Sequence, residues 1–289
     1  MSQDNILKKI KELRELTGVG FKDCKSAIDE TGGDIEKSII LLRKKGIAKI
    51  SKRMSRVAAE GLIYVSEKEN NITLIEINSE TDFVSRNKDF INFGKEVSNL
   101  SLLKIGKIDD LLNSKMKNNK TVNDNLIDLV SKIGEKITIR RSAFVGNDDT
   151  INFSYVHSAV EKNVGKLGVL LSLKTKKNRN EILPLGKELS MHIAASSPLA
   201  LDKDDLDENI INKEKEIIKD ELKNSGKDNK IIDKIAMGKI NKFIMDNTLL
   251  NQEWIIDPKK KVKDVINENS DKDKIEIKNF VRFKVGEGL

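Results

Sequence analysis

The segment Leu74-Ile75-Glu76-Ile77-Asn78-Ser79-Glu80-Thr81-Asp82-Phe83-Val84-Ser85-Arg86-Asn87 decides how this chain is interpreted. Its first four residues are mostly apolar and β-branched and predict a partly buried strand, which ends at the polar residues that follow. A helical pattern begins near Lys88. Phe83 lies between the two elements, and its residue type alone favours a ring folded back onto the core. The alternative is an outward ring, because turns on a scaffold are where binding residues concentrate.

An internal repeat supplies a comparison for this segment. Residues 93–98, Phe-Gly-Lys-Glu-Val-Ser, resemble residues 185–190, Leu-Gly-Lys-Glu-Leu-Ser, and each copy belongs to a helix that follows an apolar strand. The strands are predicted at 72–77 and 167–173. The second connecting segment, residues 174–179, has no aromatic residue. If Phe83 only completed helix packing, the second half should need a similar plug, so the comparison favours a role specific to the first turn.

The composition indicates a soluble protein without a catalytic constellation. Of 289 residues, 38% are hydrophobic and 34% charged, and basic and acidic residues are interleaved despite a net charge of +7. That charge suits nucleic acid or an acidic protein partner, but aromatic residues are too sparse for base stacking. No phosphate-binding P-loop or nucleophile–base set is visible. We therefore expect no enzyme activity, no cofactor, no metal site and no nucleotide bound by this chain.

The single cysteine, Cys24, and the absence of a long apolar run or a signal-like N-terminus predict a cytoplasmic protein without a membrane segment. Cys24 is expected to pack as a small hydrophobe. His157 and His192 are the only histidines. His192 is expected in a core or helix-face role, and neither histidine stands at metal-ligand spacing.

The N-terminal residues predict a three-helix bundle with breaks at Gly18–Gly20 and at Gly32–Gly33, and a third helix from Ile35 to Lys45. A basic stretch at residues 48–59 is interpreted as a solvated linker helix. Strands and helices then alternate through two halves. A helical hairpin with charged outer faces is predicted at about residues 206–245, broken at Ser225–Asp228. Further predicted elements are a helix at 110–119, a turn at 163–166 and a last strand at 275–285.

Several motifs together resemble the bacterial elongation factor Ts family, the nucleotide exchange factors for elongation factor Tu. The similar runs are Glu76–Arg86, Leu13–Ile28, Ile133–Arg141, His192–Ser196 and Arg282–Gly288. They follow the order of the family and cover essentially the whole chain.

The resemblance implies an α+β fold with an N-terminal UBA-like three-helix domain (1–46) and a linker helix (47–60). A core of two related halves (61–146 and 147–289), with small antiparallel sheets flanked by helices, would follow, and the hairpin would be a projecting coiled-coil insertion. The resemblance also implies that this chain binds elongation factor Tu through its GTPase domain and a further domain. Self-association through the hairpin is a possible homodimer contact.

The implied partner-binding residues fall into three groups. The exchange loop comprises Thr81, Asp82, Phe83 and Val84, with the Phe83 ring as a wedge near the magnesium and phosphate site of the GTPase. The N-terminal group comprises Arg14, Phe21 and Lys22, and the third group comprises His157, Ile255 and Ile256.

Two rival interpretations remain open from the sequence. One is a basic ribosome- or RNA-associated protein that uses Lys49–Arg56 and the lysine-rich hairpin, although no direct nucleic-acid contact is expected from the resemblance. The other is a scaffold that dimerises without exchange activity.

Trp254 is either core filler or an exposed ridge.

Overall fold

A computed structural model describes residues 3–17, 21–53, 56–146, 149–223 and 229–289. The predicted breaks at 18–20 and 225–228, and the side chains of Lys49, Lys52 and Arg53, lie outside the described residues. Within them the helices are α1 (Gln3–Thr17), α2 (Phe21–Glu30), α3 (Ile35–Arg53), α4 (Asp82–Ser85), α5 (Lys88–Leu103), α6 (Ile108–Leu112), α7 (Val122–Ile133), α8 (Arg179–Ser196), α9 (Glu208–Lys223), α10 (Asn229–Asn247) and α11 (Val262–Ser270). The strands are β1 (Glu60–Lys68), β2 (Asn71–Ser79), β3 (Ile137–Val145), β4 (Ile151–His157), β5 (Val164–Gly165), β6 (Leu167–Lys174) and β7 (Glu276–Lys284).

Two antiparallel sheets form the centre of the molecule, with strand orders β3-β2-β1-β5 and β4-β6-β7. In each sheet the central strand, β2 or β6, leads into the long helix that covers one face, α5 or α8. The pairing register shifts after Glu76 in β2 and after Ser172 in β6. These matching irregularities give the two halves the same plan, as the internal repeat predicts.

The two sheets pack against each other and carry their helices on the outer faces. Alternate residues of β1 and β2, such as Ile63 and Leu74, form a core shared with Leu170 of β6. The intervening residues, such as Tyr64 and Ile75, face α5 and α7. Because side chains alternate along a strand, each central strand is buried on both faces.

Gly168 permits the close approach of the sheets. A Cβ built there would lie 2.5 Å from Leu74 Cδ1 and 2.7 Å from Ile63 Cγ2. A side chain at this position would therefore push the sheets apart.

The N-terminal module has its own small core, as the sequence predicts. Buried residues from its three helices meet there, among them Leu13, Cys24 and Leu42. Burial raises the pKa of the Cys24 thiol, which therefore stays protonated. The module contacts the first half through an ion pair between Arg43 of α3 and Asp124 of α7.

Several predicted boundaries are wrong. The third helix does not stop at Lys45 but continues through Arg53, so no separate linker helix follows it, and residues 56–59 are not helical. The helix expected at 110–119 is only the short α6. The turn expected at 163–166 contains β5, which pairs with β1 across the boundary of the two halves. Backbone pairing with another strand, which local pattern does not report, explains the last difference.

The predicted hairpin corresponds to α9 and α10, which are joined by an ion pair of 2.6 Å between Glu221 and Lys239. Ile244 of α10 packs with Leu206 and Ala200 where the pair meets the core. Trp254, which follows, is buried, so it is core rather than an exposed ridge. No helix in the described ranges is both long and apolar enough for a membrane span.

A buried carboxylate joins the two halves. Glu76 of β2 is fully buried, and its Oε1 accepts from Arg140 Nη1 at 3.0 Å and from the Gly286 N–H at 2.9 Å. Its Oε2 accepts from Arg141 Nε. The register shift after Glu76 leaves Arg140 as an extra residue of β3, and such a bulge re-aims side chains. Two successive arginines can therefore reach one carboxylate.

The same arginines also bind the end of the chain. Arg140 Nη2 donates to the carbonyl of Glu287 at 2.7 Å, and Arg141 Nη2 donates to that of Lys284 at 3.1 Å. Burial alone would raise the pKa of Glu76, but the Gly286 N–H, Asn78 and Arg141 outweigh it and hold the pKa below its usual value.

We predict that Glu76→Gln lowers the free energy of unfolding by about 3–5 kcal/mol, because it breaks a buried ion-pair network and leaves two partly buried guanidinium groups without their counter-charge. The pKa of Glu76 is lowered by folding, so its contribution is present above pH 4.5, its ordinary pKa, and is lost as the pH falls through the folded value. Urea denaturation near pH 7 and at several acidic pH values measures both effects.

Glu276→Gln is the matched control. Glu276 also faces two cations, Lys274 and Lys278, each at 2.6 Å, which lower its pKa to about 2, but it lies at the surface. Exposed ion pairs contribute little to stability, so this variant should unfold near the wild-type urea concentration. Equal losses in the two variants would contradict a special role for the buried carboxylate.

Candidate functional site

The turn between β2 and α5 displays Phe83. Residues 82–85 form the single helical turn α4, in which successive side chains are about 100° apart. Val84 points inward and is buried in the core of the first half, whereas Phe83 is 78% exposed. The outward ring that the comparison of the two halves favoured is therefore confirmed, and the folded-back alternative is wrong.

Glu135 anchors the start of this turn. Thr81 stands at the N-cap position of α4, but its hydroxyl does not cap the helix. Instead the Thr81 N–H donates to Glu135 Oε2 at 3.0 Å, and the Thr81 hydroxyl donates to Glu135 Oε1 at 2.9 Å. Ser79 Oγ donates to the Thr81 carbonyl at 2.9 Å. Hydrogen bonds to a charged acceptor are stronger than neutral ones, so the backbone beside Phe83 is firmly held.

Glu80 provides a second anchor. Its Oε1 accepts from the Lys136 N–H at 2.6 Å, and its Oε2 lies 3.1 Å from Arg56 Nη1. The Nζ of Lys136 donates to the Arg56 carbonyl at 2.9 Å. The segment at Arg56, which precedes β1, is thus connected to Glu80, which follows β2 and leads to Phe83.

Asp82 lies on the surface beside the ring. Its side chain is about half exposed and lies 3.4 Å from Arg86 Nη2, and its carbonyl accepts from Ser85 Oγ at 2.6 Å. Asn87 then caps α5 by accepting the N–H groups of Asp89 and Phe90. A negative charge and an aromatic ring are therefore presented side by side on a short turn closed at both ends.

The two halves share a contact between an aromatic side chain of a strand and a glycine of the covering helix. A Cβ at Gly94 of α5 would lie 2.1 Å from the ring of Tyr64, and one at Gly186 of α8 would lie 2.6 Å from the ring of Phe153. In both halves an aromatic side chain of the first strand fills the space beside the helix glycine. Phe83 does not take part in this packing, so the turn between β6 and α8 can lack an aromatic residue.

The other predicted contact residues lie on separate elements. Arg14 is exposed in the last turn of α1, and Phe21, at the start of α2, is 46% exposed beside the exposed Lys22. His157, at the end of β4, is exposed, and its Nδ1 lies 3.0 Å from Tyr155 Oη. These side chains are accessible, but their binding roles stay predictions.

Ile255 and Ile256 form an exposed apolar pair after α10. They are 41% and 55% exposed, although the preceding Trp254 is buried. A backbone bond of 2.9 Å from the Trp254 N–H to the Lys260 carbonyl closes the loop that carries them. The loop can therefore present two apolar side chains in a fixed arrangement.

Across the described ranges, no group of three or more His, Cys, Asp or Glu side chains is arranged to hold a metal ion. The features that stand out are exposed apolar side chains on anchored turns. Such side chains serve as anchors in protein–protein interfaces. The site thus has the geometry of a protein-docking surface.

Comparison with known proteins identifies the family. The family described as Elongation factor TS matches residues 80–287. Elongation factor Ts of Bartonella tribocorum is 40% identical over 283 residues, which cover 97% of this chain and 92% of that protein. Elongation factor Ts of Clostridium botulinum is 39% identical over 287 residues, with 98% and 93% covered. The chain belongs to the elongation factor Ts family.

Sequence reasoning missed Glu135 and Arg56 as supports of the Phe83 turn. Glu135 lies within a run that matched the family, between Gly134 and Lys136, but its pattern gave no sign of its partner. Its bond to Thr81 spans 54 positions of sequence. Only the pairing of β2 with β3 brings the two residues together.

We predict that Glu135→Ala loosens the turn while the sheets stay intact. The Thr81 N–H loses its acceptor, so its amide hydrogen exchange should become at least ~10-fold faster, since protection of a loop amide depends on its local hydrogen bond. Exchange measured residue by residue on α4 and on β2 distinguishes a local effect from global unfolding.

Glu96→Ala is the matched control. Glu96 also accepts a loop N–H, that of Lys117, at 2.6 Å. Its removal should speed exchange at Lys117 and leave Thr81 unchanged. If Thr81 stays protected in Glu135→Ala, the anchoring role is wrong.

Proposed function

We propose that this chain is a guanine nucleotide exchange factor that binds elongation factor Tu with GDP and promotes GDP release, so that GTP can bind. The observation that carries the proposal is the Phe83 ring, 78% exposed on a turn anchored by Glu135 and Glu80. The family and its named relatives, each an elongation factor Ts, support translation elongation as the context.

An exchange factor needs no reaction site of its own. A GTPase holds GDP through backbone amides around the phosphates and through a magnesium ion. A partner that binds better to the distorted, nucleotide-free conformation weakens GDP binding, and GDP weakens the binding of that partner by the same factor. A binding surface with differential affinity is therefore sufficient.

In this proposal the Phe83 ring inserts between helices of the GTPase domain near its magnesium and phosphate site. Asp82, beside the ring, disturbs polar groups that support the metal. Thr81 and the buried Val84 hold the turn in place. Because the turn is already ordered by Thr81–Glu135 hydrogen bonds, little conformational freedom is lost on insertion.

Docking away from the wedge offsets the cost of distorting the partner. The N-terminal group (Arg14, Phe21 and Lys22) would contact the GTPase domain. In the third group, Ile255 and Ile256 would contact a further domain, and His157 would lie near the interface. Their positions on different elements would let the chain grip two parts of elongation factor Tu at once, which gives the wedge a fixed base.

We expect Phe83→Ala to reduce stimulated GDP release from elongation factor Tu by at least ~10-fold. A buried hot-spot aromatic contributes about 2–4 kcal/mol to binding, and each 1.4 kcal/mol corresponds to about tenfold. The exposed ring makes little contribution to the fold, so the urea midpoint should stay unchanged. Release of fluorescent GDP from purified elongation factor Tu measures the rate.

Leu103→Ala is the matched control, because Leu103 is a similarly exposed large apolar residue, at 73%, at the end of α5. It should leave the rate unchanged. Equal rates for wild type and Phe83→Ala would refute the wedge. If the wild type does not stimulate GDP release, the proposed function is wrong. Binding to RNA with steep salt dependence would then favour an RNA-binding protein, and dimerisation alone would favour a scaffold.

A further inference from the structure

A compact loop follows α10 and carries the exposed Ile255 and Ile256. The Val262 N–H donates to the Gln252 carbonyl at 3.1 Å, and Glu253 pairs with Lys261 as an isolated bridge. The Lys260 N–H donates to the Asp257 carbonyl at 3.0 Å and closes the tip. These bonds define the loop but do not fix how it sits on the core.

Gln252 attaches the base of the loop to two helices. Its amide nitrogen donates to the carbonyl of Ser196, at the end of α8, at 3.1 Å and to the carbonyl of Asp246, in α10, at 2.8 Å. Both partners are acceptors only, so this atom is the amide nitrogen and Oε1 points the other way. That oxygen lies 3.0 Å from Nε2 of His192.

The orientation of Gln252 fixes the tautomer of His192. Because Oε1 accepts, the hydrogen of the imidazole is on Nε2, and Nδ1 is left as an acceptor. Nδ1 accepts the Ile255 N–H at 3.4 Å. The ring is fully buried and stacks on the Trp254 indole with centroids 5.1 Å apart and 19° between planes. Burial lowers its pKa and keeps the ring neutral despite the hydrogen bond with Gln252.

We infer that His192 of α8 is a positioning residue for partner docking, which sets the presentation of Ile255 and Ile256 by accepting the Ile255 N–H on Nδ1, while Gln252 fixes the tautomer of its ring. The inference rests on the proposed function. An apolar side chain of the same size would fill the space but would leave Gln252 Oε1 and the Ile255 N–H without partners, and an unsatisfied buried polar group is costly. Gln252 would still be held by its bonds to Ser196 and Asp246, but the segment at Ile255 would shift toward another acceptor.

The test compares His192→Asn with His192→Gln. The Asn Oδ1 can take the place of Nδ1 and accept the Ile255 N–H. The Gln amide reaches toward the position of Nε2 and can satisfy Gln252, but it offers no acceptor to Ile255. Both variants put a neutral amide in the same buried site, so they are matched in polarity.

We expect His192→Gln to raise the KM for elongation factor Tu with GDP by about three- to tenfold, with kcat unchanged, because one hydrogen bond positions the docking loop. The kcat depends on Phe83, which lies in the other half. His192→Asn loses stability at Gln252 but keeps the acceptor for the Ile255 N–H, so its KM should stay within about twofold of the wild-type value. The Ile255 amide should exchange about tenfold faster in His192→Gln and at the wild-type rate in His192→Asn.

Equal KM changes in both variants, together with equal losses of melting temperature, would overturn the inference in favour of a purely structural histidine. An unchanged KM in His192→Gln would overturn it as well, provided that the wild type stimulates release. A wild type without stimulation refutes the proposed function itself, and the Ile255 amide then still reports whether His192 holds the loop.

Discussion

The rest of the structure depends on the ion pairs and hydrogen bonds of the Glu76 carboxylate. It lies between the two sheets without solvent contact and is satisfied by Arg140, Arg141 and the Gly286 N–H. A buried charge is tolerated only when its partners are complete. Strand β2, strand β3 and the end of the chain must therefore arrive together. Three of the runs that resemble the family meet at this one group.

The turn that displays Phe83 inherits its position from this arrangement. Strand β2 contains Glu76 and ends at Ser79, just before Glu80, and β3 begins just after Glu135. Fixing one strand against the other therefore fixes both anchors of the turn. The second half has the same sheet plan and the same aromatic-to-glycine packing beside its helix. Its turn carries lysines instead of a ring. The two halves share a scaffold, and what distinguishes them functionally lies in their connections.

Elements with local signals could be predicted from the sequence. Strands β2 and β6 are mostly apolar, α5 shows helical periodicity, and glycines follow the first two helices of the bundle. The outward Phe83 was also predictable, but only because a second half without an aromatic turn served as a comparison. The residue type alone pointed to the wrong answer.

The supports of the site were not predictable in the same way. Glu135 and Thr81 are 54 positions apart, and His192 and Gln252 are 60 apart. Polar side chains in such pairs have no periodic pattern, because their partners are set by which strands and helices become neighbours. The extent of α3 is not predictable for a related reason: the basic residues after Lys45 have the pattern of a separate linker helix, whereas the structure continues α3 through Arg53.

The two-residue strand β5 has a consequence for how the halves can exist apart. It comes from the second half of the chain but covers the outer edge of β1 in the first, at Ile63 and Tyr64. An unprotected edge strand is a template for pairing with other chains. A fragment ending before residue 147 would leave this edge open and would be prone to self-assembly. The two halves share a plan but are not separable modules, because the sheet of the first half is completed by a strand of the second.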